Sequence, residues 1–259
     1  MGGVGETLVC SGCGRAVAGP LPFRCPGAGD GGDHVLARPA APAGELLRAD
    51  GDDPFVRYRG LSFAAQVARA RGLGDADLVD VITRLGDAVA EVDGRRFAIT
   101  PYAAAPGLGA AAGAGLGLGE VWVKDDTGNV AGSHKARHLF GLAIYLEVAA
   151  RVGLVAGADR ARPLAIASCG NAALAAAVAA RAARRALRVF VPPWADPGVL
   201  DRLASLGAEI EACPRRDGDP PGDPCHHRFR AAVDAGALPF ACQRSEERRV
   251  GKECLRLCR

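Results

Sequence analysis

Short apolar runs alternate with longer helical stretches through the second half of this 259-residue chain. The runs predict strands over 121–124, 164–167, 188–191, 209–213 and 238–241, and the stretches between them predict helices over 135–152, 172–184, 197–206 and 225–234. Strands that are apolar throughout and separated by helices imply an α/β fold, with a parallel sheet covered on both faces. Two further helices are expected near 62–71 and 75–92, the second capped by Asp75 just after Gly74. Residues 39–57, rich in Pro, Gly and Asp, read as a linker. The glycine-rich stretch 107–119 precedes a strand instead of following one, so it reads as a flexible connector and not as a dinucleotide fingerprint.

Charge and the chain ends narrow the function classes. The net charge of +3 rests on residues 244–259, which hold six of the 32 Lys and Arg and three of the 29 Asp and Glu; the rest carries 26 of each sign. That balance leaves no basic footprint for nucleic acid. The segment from Arg244 to Cys254 resembles the translation of a sequencing adapter and has no apolar periodicity, so 244–259 is expected to be a non-native tail and the chain a fragment. Residues 1–7 lack the positive start and apolar core of a signal peptide, and the longest apolar run, 172–180, is too short to span a membrane. A cytoplasmic protein is expected. Seven cysteines outside the tail are too few for a disulfide scaffold and suit a reducing compartment.

The chemistry concentrates between 121 and 171. Gly132-Ser133-His134-Lys135 places a lysine at a predicted helix start, where the positive end of the helix dipole disfavours an ammonium. An amine that gives up its proton there can attack an aldehyde carbon, which makes Lys135 a candidate Schiff-base residue. Farther on, a predicted strand empties into Ser168-Cys169-Gly170-Asn171 and a helix, a turn whose free amides suit carboxylate or phosphate. Either motif alone reads more plainly as a solvated lysine or as a turn capped by Asn171. Their joint placement on a βα framework decides for chemistry.

Together the two motifs resemble those of the fold-type II pyridoxal-phosphate enzymes, the tryptophan synthase β-like class, and among these threonine synthase and its relatives. The resemblance covers roughly residues 8 to 243. It implies pyridoxal 5'-phosphate as cofactor, two parallel-sheet domains that grip it, an amino-acid substrate and a homodimer when full length. It implies Lys135 as cofactor anchor and catalytic base, Asn171 on the cofactor ring hydroxyl, and Ser168, Cys169, Gly170 and Asn171 around the substrate carboxylate. The reaction implied is β or γ elimination or replacement. A serine or threonine dehydratase and a cysteine-synthase-like enzyme are the neighbouring alternatives. His134 stands where the family commonly has phenylalanine, which touches substrate preference more than cofactor chemistry. The family's glycine-rich phosphate loop and its partner to the pyridine nitrogen are expected downstream of this chain, leaving the fragment inactive as written.

At the other end, Cys10-Ser11-Gly12-Cys13 is a C-x-x-C knuckle followed by Cys25 and His34. These four suit a tetrahedral zinc in a ribbon-like segment, with a vestigial ribbon or a redox pair as the alternatives. Cys213, Cys225, His226 and His227 lack knuckle spacing and read as part of an irregular loop. The expected organisation is a zinc-ribbon-like segment over 1–38, the N-terminal part of a large cofactor domain over 39–160, a smaller α/β domain over 161–243, and the tail. A rival from another class is a zinc-ribbon interaction module with a non-catalytic body.

Overall fold

The computed structural model describes residues 7–19, 21, 24–28, 34–37, 51–108 and 120–241. The tail, most of the 107–119 connector and the first part of the 39–57 linker lie outside the described residues.

The N-terminal residues form a small antiparallel sheet in the order β2-β1-β3, with β1 at Thr7–Cys10, β2 at Ala16–Ala18 and β3 at Leu36–Ala37. Its buried centre is Cys10, Cys25 and Leu36. A centre this small contributes little apolar burial, and cysteines stand where a larger domain would place bulkier hydrophobic side chains.

Helices follow: α1 (Pro54–Arg57), α2 (Phe63–Ala70) and α3 (Asp75–Asp93). The end of the expected linker is thus a helical turn, because Asp53 accepts from the amides of Phe55 and Val56 and Pro54 sits where no donor is needed. Ser62 caps α2 through the Ala65 amide. The expected cap of α3 is corrected: Gly74 is the N-cap and Asp75 is the first helical residue. The Asp75 carboxylate is taken by the Arg59 guanidinium, with two bonds of 2.7 Å.

Strand β4 (Tyr102–Ala104), not foreseen in the sequence, pairs antiparallel with β5 (Trp122–Lys124). Helix α4 (Lys135–Arg151) and the short α5 (Gly157–Ala161) lead into the single parallel sheet among the described residues. Its strands are β6 (Leu164–Ala167), β7 (Leu187–Val191), β8 (Glu209–Ala212) and β9 (Leu238–Pro239), in the order β8-β7-β6-β9. Helices α6 (Asn171–Ala182), α7 (Pro197–Ser205) and α8 (Pro224–Asp234) connect them.

Alternation sorts the strand residues onto two faces. Leu164, Ile166, Leu187, Val189 and Val191 join the large core with α2, α3, α4 and α6. Ala165 and Phe190 face a smaller core with Cys213, Cys225, Phe229 and Ala232. Helix α6 packs against α3, α4, α7, β6 and β7. Burial from so many directions explains its run of alanines, since a larger residue would hold these backbones apart. Among the described residues no helix is long and apolar enough to cross a membrane.

Candidate active site

The chain runs β6 to β7 to β8 in one direction and then returns to place β9 on the other side of β6. Connections therefore diverge at the carboxyl end of β6, and in open parallel sheets such a switch point leaves a crevice for ligands. Ser168-Cys169-Gly170 occupies that end. Ser168 donates its amide to the Phe190 carbonyl, 3.1 Å, which continues the sheet for one more residue. The Gly170 amide faces the Ser168 hydroxyl at 3.5 Å. Gly170 is the N-cap of α6, and no side chain caps that helix. Asn171 is therefore its exposed first residue and not a cap, which corrects the capping role of the plainer reading. A Cβ placed on Gly170 would meet nothing within 4 Å, so open space lies against the backbone here.

Lys135 is the first residue of α4, half-buried, behind a tight turn at Val130–Gly132. Ala131 in this turn has φ +52°, a left-handed conformation that costs a non-glycine residue about 1–2 kcal/mol. The turn packs on α6, α4 packs along α6, and Leu174 of α6 shares a cavity wall with Ala131 and Gly132. The structure thus sets the starts of the two predicted motifs on adjoining helices. His134 is exposed.

The cations around this turn differ in their commitments. Lys124 donates to the Thr100 carbonyl at 2.5 Å. Arg137 donates to the Ala98 carbonyl at 2.9 Å and lies 3.5 Å from Asp126. The Thr100 hydroxyl donates to Asp126 at 2.6 Å; against the effect of burial, this bond and the charges of Arg137 and Lys124 hold the Asp126 carboxyl below its ordinary value. Burial lowers the His138 imidazole below its ordinary value; its contact with the Ala241 carbonyl opposes that and the Lys135 charge adds to it. Among the described residues nothing accepts a hydrogen bond or ion pair from Lys135 Nζ. Two buried oxygens on the same turn, Asn129 Oδ1 and Ser133 Oγ, also have no partner. Sequence reading missed the Thr100, Asp126 and Arg137 group, because its members lie 11 to 37 residues apart and carry no local motif.

In the N-terminal sheet, the ligand atoms of Cys10, Cys13, Cys25 and His34 all lie within 4.8 Å of one another. Cys10 Sγ is 3.4 Å from His34 Nδ1 and Cys13 Sγ is 3.5 Å from Cys25 Sγ. Burial would raise the Cys10 thiol, but the amides of Cys13 and Gly12 and the neighbouring sulfurs outweigh it and bring the thiol down to about 6. Amides aimed at a knuckle sulfur favour the thiolate that binds metal. Cys213 and Cys225 instead share an apolar pocket, and burial pushes both thiols up.

The described residues thus combine an α/β fold, a reversal of strand order beside an open glycine turn, and an unpartnered lysine at the start of a packed helix. The family of pyridoxal-phosphate-dependent enzymes matches over residues 96–243, more than half of the sequence, and the chain belongs to it. Its cofactor is pyridoxal 5'-phosphate, and the free Lys135 amine and the open turn fit that group. Similar solved structures include a pyridoxal 5'-phosphate-dependent aspartate racemase, 21% identical, over 61% of this chain and 44% of that one, TM-score 0.43. Maize serine racemase is 16% identical over 69% and 48%, TM-score 0.44. The processed form of threonine deaminase isoform 2 from Solanum lycopersicum is 15% identical over 64% and 40%, TM-score 0.42. The chain spans less than half the length of each. No curated protein matches it.

Proposed function

We propose that the chain belongs to an amino-acid lyase or synthase of the threonine synthase-like type, acting by elimination or replacement at the β or γ carbon. The observation that carries this reading is the free amine of Lys135. The sequence holds three lysines, Lys124, Lys135 and Lys252. Lys124 is committed to a backbone carbonyl and Lys252 lies outside the described residues. Lys135 alone among the described lysines offers an uncommitted amine, at the start of α4, which packs along α6.

Lys135 would hold the cofactor through its aldehyde carbon, and its amine would serve as the base that moves the proton at the substrate α carbon. Bound there, pyridoxal phosphate supplies an electron sink that no side chain offers. The Asn171 amide would help hold the cofactor ring at its hydroxyl oxygen. The Ser168 hydroxyl and the amides about Cys169 and Gly170 receive the substrate carboxylate, which the start of α6 stabilises through its dipole. We assign residues 1–38 to a zinc ribbon held by Cys10, Cys13, Cys25 and His34, residues 39–160 to part of the larger domain and 161–243 to the smaller one, in a homodimer.

Incubating the chain with pyridoxal phosphate, reducing with borohydride and mapping peptides tests the assignment. The adduct is expected on Lys135 and absent from Lys135→Ala. An adduct spread evenly over the three lysines would reject Lys135 as anchor and favour the non-catalytic reading.

A further inference from the structure

We infer that Asp93 is a positioning residue for Lys135, acting through the strained turn ahead of it; this rests on the proposed role of Lys135. Asp93 ends α3, and its side chain is 9% exposed. Its Oδ2 accepts the amide of Ala131 at 3.0 Å, across 38 residues of sequence. Gly94, left-handed at φ +75°, then reverses the chain, so that Arg95 reaches the carbonyls of Thr127 and Asn129, each at 3.3 Å. Three bonds from Asp93 and Arg95 thus grip the main chain of 127–131, just before Lys135.

The grip matters because packing does not replace it. A cavity of about 250 Å³, lined by Asp93, Arg95, Ala131, Gly132, Leu174 and Arg202 among others, lies against the turn. A wall without backing atoms cannot hold a backbone in place. The left-handed Ala131 would relax to negative φ if released, and residues in such conformations persist only where their surroundings over-determine them. Relaxation there would swing Gly132, Ser133 and the start of α4, and with it Nζ. Arg202, half exposed, adds a longer ion pair to the largely buried Asp93 carboxylate at 3.8 Å. All three bonds end on backbone atoms of the turn, so they fix its main chain directly.

The test uses the full chain and the rate at which pyridoxal phosphate, trapped by borohydride, labels Lys135 well below the melting temperature. Asp93→Ala is expected to slow labelling roughly tenfold, the size of losing one partly buried hydrogen bond to a charged group. Asp93→Ala with Ala131→Gly is expected to recover most of it, since glycine holds positive φ without strain. A merely structural role would lower the melting temperature and show no such rescue. Should Asp93→Ala fail to fold, Arg95→Ala, at an exposed position, is expected to slow labelling by about threefold on the same reasoning. Hydrogen exchange at the Ala131 amide, without cofactor, is expected to quicken in Asp93→Ala. Unchanged labelling in both single variants, or unchanged exchange, overturns the inference. A wild-type chain unlabelled at Lys135 defeats the proposed function instead, and the exchange rate then decides the grip alone.

Discussion

Replacing Phe140 with alanine should be among the most damaging single changes outside the site. Phe140 lies on α4, 1% exposed, with ring centroids of Phe55 at 4.7 Å and Phe97 at 4.5 Å. Phe55 and Phe97 also meet, at 5.0 Å, so three rings tie α1, α4 and the segment after α3 together. Truncation removes two aromatic pairs, each worth about 0.5–1.5 kcal/mol beyond area burial, and leaves a cavity that rings anchored on other elements cannot collapse into. The expected cost is about 3–5 kcal/mol, which for a chain of this size lowers the melting temperature by roughly 6–20 °C. Phe140→Leu should keep most of the volume and cost about 1–1.5 kcal/mol. Urea unfolding followed by fluorescence and circular dichroism reads both values. A cost below about 1 kcal/mol for Phe140→Ala, with an unchanged m-value, would show that α4 is not anchored by this cluster.

Other changes probe other parts of the chain. Asp126, held below the ordinary carboxylate value of 3.8, contributes stability that is present above that value and lost as pH falls through its lower folded value. The stability difference between wild type and Asp126→Asn should therefore be largest at neutral pH and shrink below about pH 4, read from melts at pH 7, 4 and 3; a difference that does not change with pH would refute it. Ala176→Leu, at a position with no exposure on α6, should cost about 1–3 kcal/mol by overpacking, and a neutral melt would show that the alanine run is not a packing requirement. The chain should carry about one zinc, lost in Cys10→Ser and bound more weakly as pH falls, because its ligands must shed protons; metal analysis showing none in the wild type removes zinc from the account.

The elements that carry the proposed chemistry were legible in the sequence. Strand β6 falls on the expected 164–167, and α4 begins at Lys135 as expected. Both are bounded by local signals, a short apolar run ended by a serine and glycine turn, and a glycine-serine turn before a long periodic stretch. Strand β4 escaped because Tyr102-Ala103-Ala104 is short and without alternation, and its partner β5 lies beyond the glycine-rich connector. Asp75 was misplaced for a related reason. A carboxylate after a glycine is a plausible cap locally, but the Arg59 guanidinium that takes it lies 16 residues away, and sequence spacing does not report such partners.

The charged groups around the lysine turn explain how the fold could single out one amine. Lys124, Arg137 and Arg95 each donate to a backbone carbonyl within 97–129, so three cations tie this segment together and are not available to an incoming aldehyde or anion. Asp126 offsets part of their charge, and the Thr100 hydroxyl keeps it ionised. A buried and unpartnered polar group is costly, so a fold tolerates few of them unless a ligand completes them. Here Asn129 Oδ1 and Ser133 Oγ lack a partner on the same turn that ends in the uncommitted Lys135 amine. On the proposed role of Lys135, selectivity would follow from how its neighbours are bonded: Lys124, Arg137 and Arg95 already have their acceptors, and Lys135 does not.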